Sequence, residues 1–147
     1  MTSQIRDVVF GKDVKVVQPV NLYDCSIGDN CFIGPFVEIQ SNAIVGNRTR
    51  VQSHSFICDG VTIGEDCFIG HGVMFINDVF SGGGPAGDRN AWKKTIIGNG
   101  VSIGSNATLL PVSICDGVVI GAGAVVTKDI QEKGIYAGNP ARLLRRL

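Results

Sequence analysis

A period of six residues constrains this chain more than any other feature. Aliphatic or aromatic residues stand at Ile27, Ile33, Ile39, Val45, Val51, Ile57, Ile63, Ile69 and Phe75, each six positions after the last. The following residue is often glycine (Gly28, Gly34, Gly46, Gly64, Gly70). The residue four further on is small: Cys31, Val37, Ala43, Thr49, Ser55, Val61, Cys67, Val73. The same step links Phe10, Val16 and Leu22, one residue out of phase, and later Ile97, Ile103 and Leu109. After one five-residue step it resumes at Ile114, Ile120 and Val126. Such a period matches neither an α-helix nor a heptad. It matches short strands separated by turns, with the aliphatic side chain inward and glycine taking the turn backbone. Three strands make a coil of about eighteen residues, and coils stack about 4.8 Å apart. The expected fold is an all-β parallel β-helix, read as one domain over residues 1–147.

The pattern fails in two places. Residues 81–96, SGGGPAGDRNAWKKTI, carry the glycine and proline punctuation of a loop. A long loop projecting from a solenoid often serves binding, and it holds the only tryptophan, Trp92. After Val126 the rungs stop, and ARLLRRL at 141–147 is read as a short tail or a terminal helix that caps the last coil. The residues preceding the inward positions point outward. Among them are Phe32, Ile44, Phe56, Phe68, Met74 and Phe80, with Phe56 and Met74 eighteen apart on one face. Ladders of this kind predict an interface in a closed assembly of identical subunits.

Thirteen basic residues balance thirteen acidic ones, so neither a nucleic-acid partner nor a polybasic membrane contact is expected. No apolar run has the length of a membrane span. The opening MTSQIRDVVFGKDVK lacks the apolar stretch of a signal peptide, so a cytoplasmic location is expected. The five cysteines contain no CxxC pair. They are read as small core filler rather than as zinc ligands or disulfides.

Stacking arithmetic sorts the polar residues. Ser41, Asp59 and Asn77 are eighteen apart and share one turn column. A carboxylate and an amide in neighbouring coils, beside a loop, suit an amine ligand; Asp and Asn also favour turns in their own right. Asp78 and Trp92 flank the same loop and are candidate substrate contacts. The two histidines, His54 and His71, lie on one edge of adjacent coils. Either could serve as a base near neutral pH, and His71 is in the coil nearest the loop.

The stretch VQSHSFICDGVTIGEDCFIGHGVMFIND (51–78) and the tail VVIGAGAVVTKDI…YAGNPARLLRRL (118–147) carry a resemblance. Both are similar to the hexapeptide-repeat acyltransferases, and the first resembles bacterial N-acetyltransferases of dTDP- or UDP-linked amino sugars. The resemblance implies a left-handed β-helix, a homotrimer, acetyl-CoA as co-substrate and no metal. It places Ser105, Ala122, Thr127, Lys128, Arg142 and Arg145 against CoA. The last twenty residues hold five Lys or Arg against two acidic residues, which suits the cofactor's phosphates. In the wider family a catalytic histidine often precedes the loop, where this chain has Asn77. The expected catalytic set is therefore Asn77, Asp59 and His71, with His54 as a further substrate contact. The same fold resembles the γ-type carbonic anhydrases, with His71 at a zinc position. That family needs a second histidine five residues on, where Ile76 stands. Acyl transfer to another small acceptor, such as a sugar hydroxyl, is the remaining alternative.

Overall fold

Each inward aliphatic residue ends a strand of two or three residues, and the next corner turns the chain through one third of a coil. The computed structural model describes residues 4–147 and contains three parallel sheets that form the faces of a triangular prism. Face A stacks Ile5–Arg6, Asn21–Tyr23, Glu38–Ile39, Phe56–Ile57, Met74–Phe75, Thr108–Leu109 and Val125–Val126. Face B stacks Val9–Phe10, Ser26–Ile27, Ile44–Val45, Val61–Ile63, Thr95–Ile97 and Ser113–Ile114. Face C runs from Lys15–Val16 through Phe32–Ile33, Arg50–Val51, Phe68–Ile69, Ser102–Ile103 and Val119–Ile120 to Gly134–Ala137. This is the parallel β-helix that the repeat implied, with the left hand that the resemblance implied. Among the described residues no helix is long and apolar enough to cross a membrane.

The core is the predicted set of inward residues. Leu22, Ile27, Ile33, Ile39, Ile57, Ile63, Ile69 and Phe75 are all essentially inaccessible to solvent. The small corner residues also make hydrogen bonds. Cys31 Sγ and Thr49 Oγ1 donate to the carbonyls of Gly46 and Gly64, and Cys67 Sγ donates to that of Gly98. Ser55 Oγ donates to the Gly70 carbonyl and accepts the Val73 N–H. These contacts satisfy backbone groups that face the core, which would otherwise be costly.

Three expectations need correction. The tail is not a helix: Arg142–Arg146 is a strand, antiparallel to Gly134–Ala137. A seven-residue helix has too few hydrogen bonds to offset its nucleation, whereas the open edge of face C offers a full row of partners. The rungs also continue past Val126, because Ile130 is buried and bridges to Ile114. The loop lies further upstream than expected. The chain leaves the ladder after Met74–Phe75 and rejoins it at Thr95–Ile97, where Ile97 pairs with Ile63. Of the outward apolar residues, Phe56 and Met74 do pair on face A. Ile44 is on face B and Phe32 and Phe68 are on face C, where Arg50 lies between them and over the Phe32 ring. Phe80 is on the loop rather than on a rung.

Close stacking limits what a corner can hold. A Cβ at Gly104 would sit 2.5 Å from the Ala122 backbone nitrogen. Gly104→Ala should lower stability by about 1–3 kcal/mol, read as a lower urea midpoint at an unchanged slope. Burial pushes the Cys58 thiol up to about 12 and the Cys25 thiol up to about 11. Cys31 and Cys67 are raised for the same reason. These thiols stay protonated at neutral pH and are shielded. Alkylation of the native protein at pH 8 should therefore label the half-exposed Cys115 first. Mass mapping that finds Cys58 labelled at the same rate would contradict this packing.

Candidate functional site

The prism has three corners, and the candidate residues divide between two of them. At the corner between faces C and A, Ser53, His71, Ser105 and Ala122 occupy equivalent places in successive coils. The register is set by neighbouring backbone bonds: Gly72 N–H to Ser53 O at 3.0 Å, Asn106 N–H to His71 O at 2.8 Å, and Gly123 N–H to Ser105 O at 2.9 Å. The expected base and two expected cofactor contacts therefore form one column. An adjacent column runs through Phe36, His54, Gly72, Asn106 and Gly123, all with φ between 61° and 69°. His54 packs its ring 4.9 Å from that of Phe36, and both histidines are exposed.

The corner between faces A and B carries the loop. Asn77 does stack on Asp59, but its amide donates to the Asp59 backbone carbonyl at 3.1 Å, not to the carboxylate. The Asp59 carboxylate accepts from Arg89 of the loop at 2.6 Å and from the Asn42 amide at 3.3 Å. Its side chain is only 15% exposed. Arg89 was not singled out by the repeat, because it lies in the insertion, where stacking arithmetic has no register. Ser41, the third expected member of the column, donates to Asp24. A recess of about 320 Å³ opens beside Asp59, lined by Asn42, Ile44, Gly60, Thr62 and Lys94. A guanidinium thus already pairs with the carboxylate where an amine was expected.

The loop is organised by its own polar groups. Asp78 accepts the N–H groups of Phe80 at 3.0 Å and Ala86 at 2.7 Å. Asp88 caps the short 3-10 turn Arg89–Ala91 through the Asn90 N–H. The Arg89 guanidinium lies 5.8 Å from the centre of the half-buried Trp92 ring. Lys93 N–H donates to the Asn77 carbonyl at 2.9 Å, which closes the loop at its base. Asp78 and Trp92 therefore shape the loop whose Arg89 reaches the Asp59 carboxylate.

The cofactor candidates are spread around the last coils. Arg142 pairs with Ala137, next to the corner that carries Ala122, and Arg145 pairs with Ile135 further along face C. Thr127 and Lys128 are exposed on the opposite corner of face A, in the column of Asp59 and Asn77. Among the described residues Lys128, Arg142 and Arg145 form no ion pair, whereas Arg146 pairs with Glu132. Within one chain, His71 and Asn77 lie at the two ends of the Met74–Phe75 strand, one prism face apart.

Comparisons with known proteins agree with this architecture. Residues 24–59 match the model described as bacterial transferase hexapeptide (six repeats). Residues 60–74 and 94–128 match the hexapeptide repeat of succinyl-transferase. A chloramphenicol acetyltransferase of Agrobacterium fabrum is 48% identical over 63 residues, which is 42% of this chain and 27% of that protein. The galactoside O-acetyltransferase of Escherichia coli K12 is 50% identical over 52 residues, 35% of this chain and 26% of that protein. The matches thus span about a quarter of the length of these relatives. A solved N-acyltransferase from Bacillus cereus, in complex with dTDP and coenzyme A, superposes with a TM-score of 0.76 at 23% identity, covering 95% of this chain and 83% of that one. A hexapeptide-repeat acetyltransferase of Vibrio cholerae, complexed with acetyl-CoA, gives 0.67 at 25% identity, covering 82% and 70%. With both repeat models matched over more than half of its residues and every matched rung seated in the prism, this chain belongs to the hexapeptide-repeat transferase family.

Proposed function

We propose that this protein is an acetyl-CoA-dependent N-acetyltransferase that acts on the amino group of a dTDP- or UDP-linked amino sugar. The observation that carries the reading is the column His71–Ser105–Ala122 with Arg142 beside its end. The column runs from a candidate base along small residues toward Arg142, which forms no ion pair among the described residues. Small side chains let an extended cofactor lie close to the corner, and Arg142 and Lys128 offer charge-assisted bonds to its phosphates. The relatives named acetyltransferases and the Vibrio cholerae structure with acetyl-CoA support the donor. The Bacillus cereus fold relative shows that such a β-helix can accommodate a nucleoside diphosphate together with coenzyme A.

The reaction is direct transfer. The sugar amine attacks the thioester carbonyl, the C–N bond forms, and the C–S bond breaks through a tetrahedral oxyanion. His71 takes the proton the nitrogen loses, and the departing CoA thiolate is its final acceptor. Asp59 accepts an N–H of the neutral amine in the place of Arg89, and the Asn77 amide supplies a donor to the oxyanion. His71 and Asn77 lie on different corners of one chain, so the site closes between subunits of a homotrimer. Phe56 and Met74 on face A provide apolar surface for that contact. The galactoside O-acetyltransferase relative favours a second reading, in which the acceptor is a sugar hydroxyl.

A thiol-release assay with acetyl-CoA across dTDP- and UDP-amino sugars tests the acceptor. Turnover with galactosides and none with amino sugars would install the second reading. His71→Asn should cut turnover by about 10²–10⁴-fold with acetyl-CoA affinity retained. Asn77→Ala should cost roughly 10²-fold in kcat. Lys128→Ala or Arg142→Ala should raise the KM for acetyl-CoA about tenfold or more, from the loss of a bond worth about 1.5–3 kcal/mol. Sedimentation equilibrium should give three times the 15.5 kDa chain mass; a monomer would separate His71 from Asn77 and exclude the shared site.

A further inference from the structure

A second concavity lies on face A near the start of the prism, away from the loop. It has a volume of about 360 Å³, and Arg6, Pro19, Asn21, Phe36 and Glu38 are among its lining residues. We propose that this cleft seats the nucleobase of the acceptor and selects a base whose ring carries an N–H beside a carbonyl, as in uracil, thymine or guanine. The proposal rests on the transferase reading above and adds the part of the substrate that the reacting corner does not touch.

Phe36 is the first observation. Its ring is 56% exposed, although it stands in a column whose backbone is left-handed, with φ 62°. Beyond His54, the same column holds only glycine or asparagine, at Gly72, Asn106 and Gly123. A β-carbon is disfavoured in that conformation, so an exposed phenyl ring there contributes neither turn geometry nor core packing. An exposed ring at the rim of a cleft lined by both apolar and polar side chains is a stacking platform for a base. His54 packs against one side of Phe36, and the cleft lies along face A beside it.

The polar groups in the cleft supply the edge chemistry. Glu38 is oriented by the Gln40 amide, which donates to one carboxylate oxygen at 2.8 Å. An ionised carboxylate can only accept, so it favours a ring N–H and opposes the bare ring nitrogen of adenine. Asn21, the neighbour of Glu38 in the sheet, offers an amide to the adjoining base carbonyl. Distance agrees as well. Phe36, His54 and Gly72 are successive members of one corner column, so His71 lies two coils, or about 10 Å, above Phe36. A ribose and diphosphate running past His54 cover that distance and bring the sugar amine to His71.

Calorimetric titration of the intact protein with UDP, dTDP, GDP, ADP and N3-methyl-UDP tests the cleft. At least one of the first three should bind, with ADP and N3-methyl-UDP at least about tenfold weaker. Phe36→Asn, which suits the left-handed backbone, should weaken that nucleotide about tenfold, the loss expected for one base stack. Glu38→Gln should narrow the gap between UDP and N3-methyl-UDP. Acetyl-CoA affinity should be unchanged in both variants. ADP binding as tightly as the other nucleotides, no nucleotide binding at all, or unchanged affinity in Phe36→Asn would overturn the proposal. If the wild type still releases CoA with nucleotide amino sugars in that last case, the base sits elsewhere and the transferase reading stands. Absence of CoA release with every amino sugar would instead refute the transferase reading.

Discussion

Parallel in-register stacking is the constraint on which everything else in this molecule depends. Ile39 lies against Ile57, Ile69 against Ile103, and Leu109 against Val126, each pair fixed by the backbone bonds of its sheet. Burying each such side chain contributes about 1.5–3 kcal/mol, but only while the register holds. A residue inserted into a strand would turn every later side chain to the wrong face. Length can therefore change only at corners. The long loop and the five-residue steps Ile5 to Phe10, Leu22 to Ile27 and Leu109 to Ile114 fall at the corner between faces A and B. That corner has absorbed the irregularity, and it is also where Asp59 and Asn77 stand.

The corner between faces B and C shows what a purely structural column looks like. Asp29, Asn47, Asn99 and Asp116 each accept a backbone N–H from the coil below, and the Asn47 amide also donates to Glu65. Arg48 reaches Asp66 from the outside. Most of the polar side chains there are spent on the coil stack. The corner between C and A differs. Among the described residues, His71 and Ser105 make main-chain hydrogen bonds only, and His54 adds a ring contact with Phe36.

Much of this was legible in the sequence, because the repeat assigns a face to every residue it covers. The core, the pairing of Phe56 with Met74 and the stacking of Asp59 under Asn77 follow from counting by eighteen. Counting does not tell where a side chain turns once it reaches the surface. Asn77 was placed correctly, but its amide is directed to a backbone carbonyl. Arg89 and the internal bonds of Asp78 lie in the insertion, where no period applies. The tail was misread because ARLLRRL is too short for periodicity to separate helix from strand. The free edge of face C, a tertiary feature, decides in favour of the strand.

The shape of the prism explains why the candidate groups sit where they do. Three flat faces around a filled core make a convex body, and a convex surface cannot enclose a reacting centre. Concavity has to come from an added element. In this chain the loop supplies one instance by bending Arg89 back onto Asp59 and walling the recess beside Gly60 and Lys94. The cleft beside Phe36 is another, made where an aromatic side chain stands up from a corner that glycine or asparagine occupies beyond His54. The loop recess does not reach the His71 column from within the same chain, because a full strand separates that corner from Asn77. A second prism laid alongside, axis parallel to axis, turns two convex faces into a groove whose walls are corner columns. Each column repeats about every 4.8 Å, so a long, thin ligand lying in the groove meets a new side chain at each coil. Under the proposed reading, an extended thioester cofactor and a nucleotide sugar lie end to end in that groove, and their two runs meet at the coil that carries both His71 and the base of the loop.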